Sequence, residues 1–397
     1  MLKKRLFGPA AVALVVVATL AACGNGSGAG STPSQGGIPV RIGIMGGESS
    51  RLPATSFEAI RGAEMARGDL SGLGLDVTFI PVDDRGTPEG AAQAAQRLIN
   101  NDEVDFILGP GLSGQVLQVR DLVQTVGRPW CLSLAAGDDL AKKTDAGNWA
   151  FQTAATAAQA IEVFADGVVE PDDTVGLLAF TDTYGQIFTR SMEKTWADRG
   201  LGDIAVTSFD QGAADLSVQA RTLRDAGVDT VIIGVHGGDD FVPILRAFDQ
   251  ADFHPKAIYT TGAIVGSFAK VATPEQRSAI KFAVPAVLTG PEVEAFTAEY
   301  VSTYGEDPTY GLAAQMSYSC VDAYLRAVKE AGTATDYTAV RDAMEKTASL
   351  DIFGTKVTAP FSAEDHRLWD FESSPWGLYG FDPSSGAIIE AQKLEYK

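Results

Sequence analysis

Beyond residue 38 the apolar positions follow two alternating rhythms. "VRIGIMG" (40–46), "DVTFIPV" (76–82), "VDFILG" (104–109) and "PWCLSL" (129–134) are short apolar runs rich in β-branched residues, and they read as buried strands. Between the second and third, Thr87 and Pro88 supply an N-cap and a first helical position, and Ala91, Ala92, Ala95, Leu98 and Ile99 share one helical face. A second series follows: "TVGLLAF" (174–180), "AVTSFD" (205–210), "TVIIGV" (230–235), "AIYTTG" (257–262) and "IKFAVPAV" (280–287). Helix-length segments separate them, as where Leu216, Ala220 and Leu223 fall on one face. Apolar strands alternating with helices predict parallel sheets covered on both sides, here as two Rossmann-like domains with a boundary near 151–156. The rhythm then changes. Two long helices come in succession, "PEVEAFTAEYVSTYG" and "YGLAAQMSYSCVDAYLRAVKEAG". After them only strand-like pieces are expected: "TKVTAPFS", "PWGLYGF" and "AIIEAQKLEY".

The N-terminus has its own pattern. Lys3, Lys4 and Arg5 precede an apolar stretch from Phe7 to Leu20 that is shorter than the roughly 20 residues a membrane-crossing helix needs. A basic head, a short apolar core and small residues at Ala21 and Ala22 describe a secretory signal peptide over 1–22. Leu20-Ala21-Ala22-Cys23 resembles the bacterial lipobox, which implies lipidation of Cys23. Residues 23–38, rich in Gly, Ser, Pro and Gln, read as a flexible tether. Acyl chains at Cys23 would hold a folded body at the outer face of the cell membrane.

Of the 397 residues, 45% are hydrophobic and 21% charged, which are globular values. The formal charge is −20, and losing Lys3, Lys4 and Arg5 makes it three units more negative. No run of like charge occurs, so the surface is diffusely acidic, which argues against nucleic acid and against adhesion to anionic lipid. Cys131 and Cys320 lie in apolar runs and read as two buried free thiols, although export permits a disulfide. The three histidines, His236, His254 and His366, lack metal-ligand spacing, and no Gly-x-Ser-x-Gly elbow is present. No metal, no cofactor and no catalytic residues are expected. Asp83 and Asp84 could pair as catalytic acids, but no activated nucleophile accompanies them, and they read as supports of the Thr87 turn.

Several stretches together resemble type I periplasmic solute-binding proteins of the leucine/isoleucine/valine-binding class. They include "RIGIMGGESS", "FIPVDDRGTPEGAAQAAQRLI", "DFILGPGLSGQV", "TDTYGQIF", "DLSVQARTLRDAGVDTVIIG" and "AFTAEYVSTYGEDPTYGLAAQMSYSCVDAYLRAV", in the family's order from Val40 to Tyr396. The resemblance implies an α/β fold of two lobes joined by three hinge crossings, placed near Gln152, Pro285 and Pro360. The lobes would be 39–152 with a return over 285–358, and 153–284 with C-terminal strands over 359–397. It also implies a monomer that captures a small ligand by lobe closure and delivers it to the permease of an ABC importer. A ligand receptor feeding a sensor would share the same body. An exported dinucleotide-using enzyme is the third reading.

Ligands of open α/β sheets bind beyond the carboxyl ends of the strands, which singles out particular loops. Ser49 and Ser50 follow the first strand, with Arg51 either meeting a ligand carboxylate or simply solvated. Gly109 to Gly114 formally matches Gly-x-Gly-x-x-Gly, but it follows the third strand, and Asp138 is not clearly placed at the end of a following strand. The same helix terminus suits a carboxylate. The family resemblance assigns that contact to Ser113, beside Gly114; the alternative is that Ser113 only caps the helix. Where the family has Ser-Ala-Thr, this chain has Leu134-Ala135-Ala136, so a backbone role is carried over at Ala135, with Ala136 in place of the threonine. Tyr184 matches the family tyrosine that reaches in from the second lobe, or else packs at a helix start. His236 stands where the family often has an aromatic, and Ala263 stands where it has the acidic partner of a ligand ammonium. Asp239 and Asp240 read as helix caps. The surviving carboxylate half predicts a small carboxylate or amide ligand with no required α-ammonium, aromatic if Trp130 and Tyr184 face it.

Overall fold

The computed structural model describes residues 36–394, apart from 51, 146, 262–268, 270–271, 309–310 and 371–373. The leader, Cys23, Arg51 and Ala263 therefore lie outside the described residues. The first series comprises β1 (Ile38–Met45), α1 (Pro53–Asp69), β2 (Leu75–Val82), α2 (Pro88–Asn100), β3 (Phe106–Leu108), α3 (Ser113–Val126), β4 (Trp130–Leu132) and β5 (Ala150–Gln152). Its sheet runs β2-β1-β3-β4-β5, parallel throughout. α2 starts as its sequence dictates, with the Thr87 side chain accepting from Gly90 N and Pro88 opening the helix. "DVTFIPV" forms β2 at the sheet edge with only Val82 fully buried, because one side of an edge strand has no neighbour.

The second series comprises α4 (Ala157–Gly167), β6 (Val175–Phe180), α5 (Thr183–Arg199), β7 (Ala205–Phe209), α6 (Ser217–Asp225), β8 (Thr230–Gly234), α7 (Phe241–Gln250), β9 (Ala257–Thr261), α8 (Pro274–Ala279) and β10 (Ile280–Val284). Its parallel strands run β7-β6-β8-β9-β10, which repeats the order of the first sheet strand for strand. Every residue of β6 and β8 is buried, as central strands covered on both faces must be. Beyond β10 the sheet is extended antiparallel by β13 (Gly377–Phe381) and β14 (Ile388–Lys393).

Between β10 and β13 the chain returns to the first sheet. α9 (Pro291–Tyr304) and α10 (Leu312–Ala331) are the two expected helices. Met316, Cys320, Val321 and Tyr324 of α10 share one core with Ile42, Ile44, Phe106 and Leu108. The Tyr324 ring stacks on Phe106 at 4.1 Å between centroids. A third helix, α11 (Tyr337–Glu345), follows, where only strands were expected. The Asp336 carboxylate accepts from Ala339 N at 3.1 Å and caps it, and Val340, Ala343 and Met344 form its buried face. The strand-like piece "TKVTAPFS" supplies β12 (Thr355–Thr358), which pairs only with β11 (Ser349–Ile352) in a separate hairpin.

Two further expectations are corrected. Cys131 of β4 and Cys320 of α10 are not free thiols but a disulfide, with Cα atoms 6.2 Å apart. Their sequence separation of 189 positions hid that the returning helix lies against β4. The last passage between the sheets also comes later than Pro360. Gln152 N donates to His366 O and Leu368 N donates to Gln152 O, so this stretch runs beside β5. Phe361, Leu368 and Trp369 stay in the first core, whereas Trp376 packs in the second lobe.

Candidate ligand-binding site

Because the two sheets share one strand order, each has a single place where connections leave adjacent strands in opposite directions. In the first sheet it lies between β1 and β3, and in the second between β6 and β8. The loops leaving the carboxyl ends of β1, β3 and β8, together with the start of α5 that follows β6, contribute to one cavity. Its empty volume is about 990 Å³, the open mouth included. Leu52, Leu134, Val284, Leu312 and Met316 give it apolar walls, while hydroxyl groups come from Ser50, Thr55, Ser56, Ser113 and Ser133.

Six of the residues singled out from the sequence meet there: Ser50, Ser113, Ala135, Ala136, Tyr184 and His236. Ser113 is 2% exposed and is the first residue of α3, but the cap position is Leu112, whose N–H donates to Gln115 Oε1 at 3.2 Å. The Ser113 hydroxyl is not engaged by any protein group among the described residues, so it is not the helix cap. The free N–H groups of the α3 terminus and its dipole favour an anion beside it. Ser50 Oγ accepts from Leu52 N at 3.2 Å and holds the turn into α1.

Tyr184, in the first turn of α5, and His236, just after β8, come from the second lobe. The Tyr184 phenol is buried, which pushes its pKa up, while a hydrogen bond with Thr261 opposes that shift. Its ring packs 5.2 Å from the His236 ring, and Phe180 packs on His236 at the same distance. His236 Nε2 lies 2.6 Å from Asp182 Oδ2. Asp182 caps α5, accepting from Gly185 N at 3.0 Å through its other oxygen. Burial raises the Asp240 carboxyl, against the opposing charge of His236, and Asp240 accepts from Gly237 N at 3.1 Å. It thus caps the short turn Gly238–Asp240 that leads into α7.

Other candidates sit elsewhere. Ser49 is not on the cavity wall; its N–H donates to Asp83 Oδ2 at 3.2 Å. Gly114 faces the other lobe, where an added β-carbon would stand 3.1 Å from Thr183 Oγ1. The absence of a side chain there lets the starts of α3 and α5 approach. Trp130 is fully buried in the first sheet and its indole N–H donates to Gly109 O, so it offers no aromatic wall. Asp138, weighed as a ribose ligand, instead accepts from Ala158 N at 2.7 Å and from Ser191 Oγ. Asp83 and Asp84 accept from Arg85 N and Gly86 N and hold the turn before α2.

Reading by sequence missed the wall supplied by the crossings. Ala154, Pro285 and Trp369 line the cavity where the chain passes between the sheets, and Thr261 lines it at the end of β9. The strand-end rule applies to Thr261 directly. The crossings carry no such signal, but they are tied together: Trp369 Nε1 donates to Thr153 O at 2.7 Å, and Gln152 Nε2 to Ala135 O at 2.9 Å. Among the described lining residues there is no aspartate, glutamate, lysine or arginine.

Residues 39–370 match the model of a family described as periplasmic binding protein. The chain is similar to the Leu/Ile/Val-binding protein BraC3 of Rhizobium johnstonii, at 21% identity over 359 residues, covering 89% of this chain and 94% of the relative. Among solved structures it is similar to a periplasmic binding protein type 1 from Bordetella pertussis Tohama I, with a TM-score of 0.76 at 20% identity, covering 90% of this chain and all of that one (100%). An ABC-transporter solute-binding protein from R. palustris, solved in complex with benzoate, aligns with a TM-score of 0.75 at 16% identity, covering 90% and 98% of the two chains. At these identities the solved structures speak to fold alone. The match over most of the chain, on two parallel sheets around one cavity, shows that this protein belongs to the periplasmic binding protein family, in its two-lobed type I form, a family of solute-binding proteins rather than enzymes.

Proposed function

We propose that this chain is the extracytoplasmic binding lipoprotein of an ABC importer. As a monomer anchored through Cys23, it captures a small ligand by lobe closure and hands it to a permease. The ligand is a small carboxylate or amide with no required α-ammonium. The observation that carries this reading is the cavity itself: an unengaged Ser113 hydroxyl at the start of α3, apolar walls, and no acidic side chain among the described lining residues. Taking an ammonium into such a cleft costs several kcal/mol unless a carboxylate and other acceptors replace its water. Glu48 and Asp239 are not on the wall, and the undescribed stretch 262–268 contains no acidic residue.

Leucine and 4-methyl-2-oxopentanoate test this directly, because they share the side chain and carboxylate and differ only at the α-carbon, where an oxo group replaces the ammonium and the hydrogen. A ligand at 100 times its Kd stabilises the fold by about 2.7 kcal/mol, easily read as a melting shift. The oxo acid or another monocarboxylate should shift the melt, and leucine, isoleucine and valine should leave it unchanged. Micromolar affinity for any of these three returns the site to ordinary branched-chain amino acids.

A further inference from the structure

The cavity wall is not uniform. One part carries the unengaged hydroxyl of Ser113, a residue only 2% exposed. Another part is made of side chains that stop at the β-carbon: Ala136, Ala155, Ala160 and Ala283. These alanines lie together. Ala160 and Ala283 belong to one core cluster of the second lobe with Tyr184, and Ala136 and Ala155 pack against it. Ala157 N donates to Ala136 O at 2.8 Å, which brings the loop after β4 onto the start of α4. Ala155 also packs against the first core, which includes the wall residues Met316 and Trp369. The polar side chains nearby are already partnered. Tyr184 and Thr261 bond each other, and Thr156 accepts from Gln159 N at 3.2 Å. Trp369 Nε1 donates to Thr153 O at 2.7 Å, and His236 Nε2 lies 2.6 Å from Asp182 Oδ2. A hydrocarbon placed against the alanines leaves water and gains contact, whereas a polar atom there competes with bonds the protein already makes. Since protein interiors are close-packed, a wall of β-carbons leaves room for the ligand itself to fill.

We propose that these alanines form a chamber for the ligand's body, and that the ligand is a monocarboxylate bearing a hydrocarbon the size of a six-membered ring. Its carboxylate meets Ser113 and its hydrocarbon lies against Ala136, Ala155, Ala160 and Ala283. This rests on the carboxylate reading above and narrows it to one class of acid. Ala136 and Ala155, which are only partly buried, are the positions that determine specificity. A larger side chain at either takes the space of the hydrocarbon.

Titration calorimetry with butanoate, hexanoate, cyclohexanecarboxylate and tetrahydropyran-4-carboxylate tests the chamber. Each buried methylene tightens binding about fourfold, so hexanoate should bind more than about tenfold tighter than butanoate. Cyclohexanecarboxylate should bind at least as tightly as hexanoate. Tetrahydropyran-4-carboxylate has nearly the same shape with one ring oxygen, and it should bind at least about tenfold more weakly than the all-carbon ring. Ala136→Val and Ala155→Val should each reduce the preference for cyclohexanecarboxylate over butanoate at least about tenfold. Ala136→Ser adds a hydroxyl and little volume, so it should instead narrow the gap between the two rings. The unliganded melting temperature of each variant reports whether the fold is intact. Equal affinities for butanoate and cyclohexanecarboxylate, or for the two rings, overturn the chamber and leave the carboxylate reading standing. Unchanged preferences in folded variants overturn the roles of Ala136 and Ala155. If none of the four acids binds, the proposal fails, and leucine binding in their place removes the carboxylate reading as well.

Discussion

Ser113 shows how much a single residue's environment decides. Its hydroxyl sits at the start of a 14-residue helix, buried yet unused by the helix, because Leu112 and Gln115 close the cap. Removing it should therefore leave folding alone. A hydrogen bond to a charged ligand is worth roughly 1.5–3 kcal/mol, so Ser113→Ala should raise Kd about tenfold to a hundredfold. Calorimetry with the best-binding carboxylate, beside a melting curve of the unliganded variant, separates the two roles. Unchanged affinity with a lowered melt would make Ser113 structural after all. Tyr184 behaves differently: it packs against Phe188 and His236 while its phenol meets Thr261, so its truncation would disturb core and cavity together.

At the scale of elements, α10 matters most. It fills the face of the first sheet, passes α1 so closely that a β-carbon at Gly62 would overlap the Ala314 carbonyl, and is bonded to β4 through Cys320. Thr153, in the first crossing, donates to Met316 O at 3.1 Å beside that disulfide. The bond thus fixes the helix that carries the Met316 wall of the cavity. A disulfide closing a long loop typically contributes about 2–4 kcal/mol, chiefly by constraining the unfolded chain. Cys320→Ser should lower stability by about that amount in chemical denaturation, and a reductant should do the same to the parent. A midpoint insensitive to both would mean the cross-link adds nothing to stability. The bond also agrees with the exported location read from the N-terminus, since such pairs persist in oxidising compartments.

For the whole molecule, the pairing of two sheets with the same strand order around one cavity makes closure the natural response to ligand. Cross-lobe contacts are already present: Asp138 accepts from Ser191 of α5, and Gly114 abuts Thr183. Ligand that touches both sheets should shift the population toward this compact arrangement. Small-angle scattering at saturating ligand should show a smaller radius than without it, and an unchanged radius would count against hinge motion.

The alternation of strands and helices, the two series, the Thr87 cap and the loops that feed the cavity were legible in the sequence. Each is written in local periodicity or in a residue beside the group it bonds. Burial on both faces leaves continuous apolar runs, and strand ends mark where ligands meet a parallel sheet. α11 was locally encoded as well, by Asp336 and by Val340, Ala343 and Met344, but its nine residues make a weak signal. Other features depended on topology. Trp130 faces the core rather than the cavity, Cys320 reaches Cys131 across 189 positions, and the segment ending at Trp369 pairs with β5. Periodicity gives a strand two faces without saying which meets a ligand. Contacts between residues far apart in the chain exist only once the sheets have been ordered and the last helices have returned to the first of them.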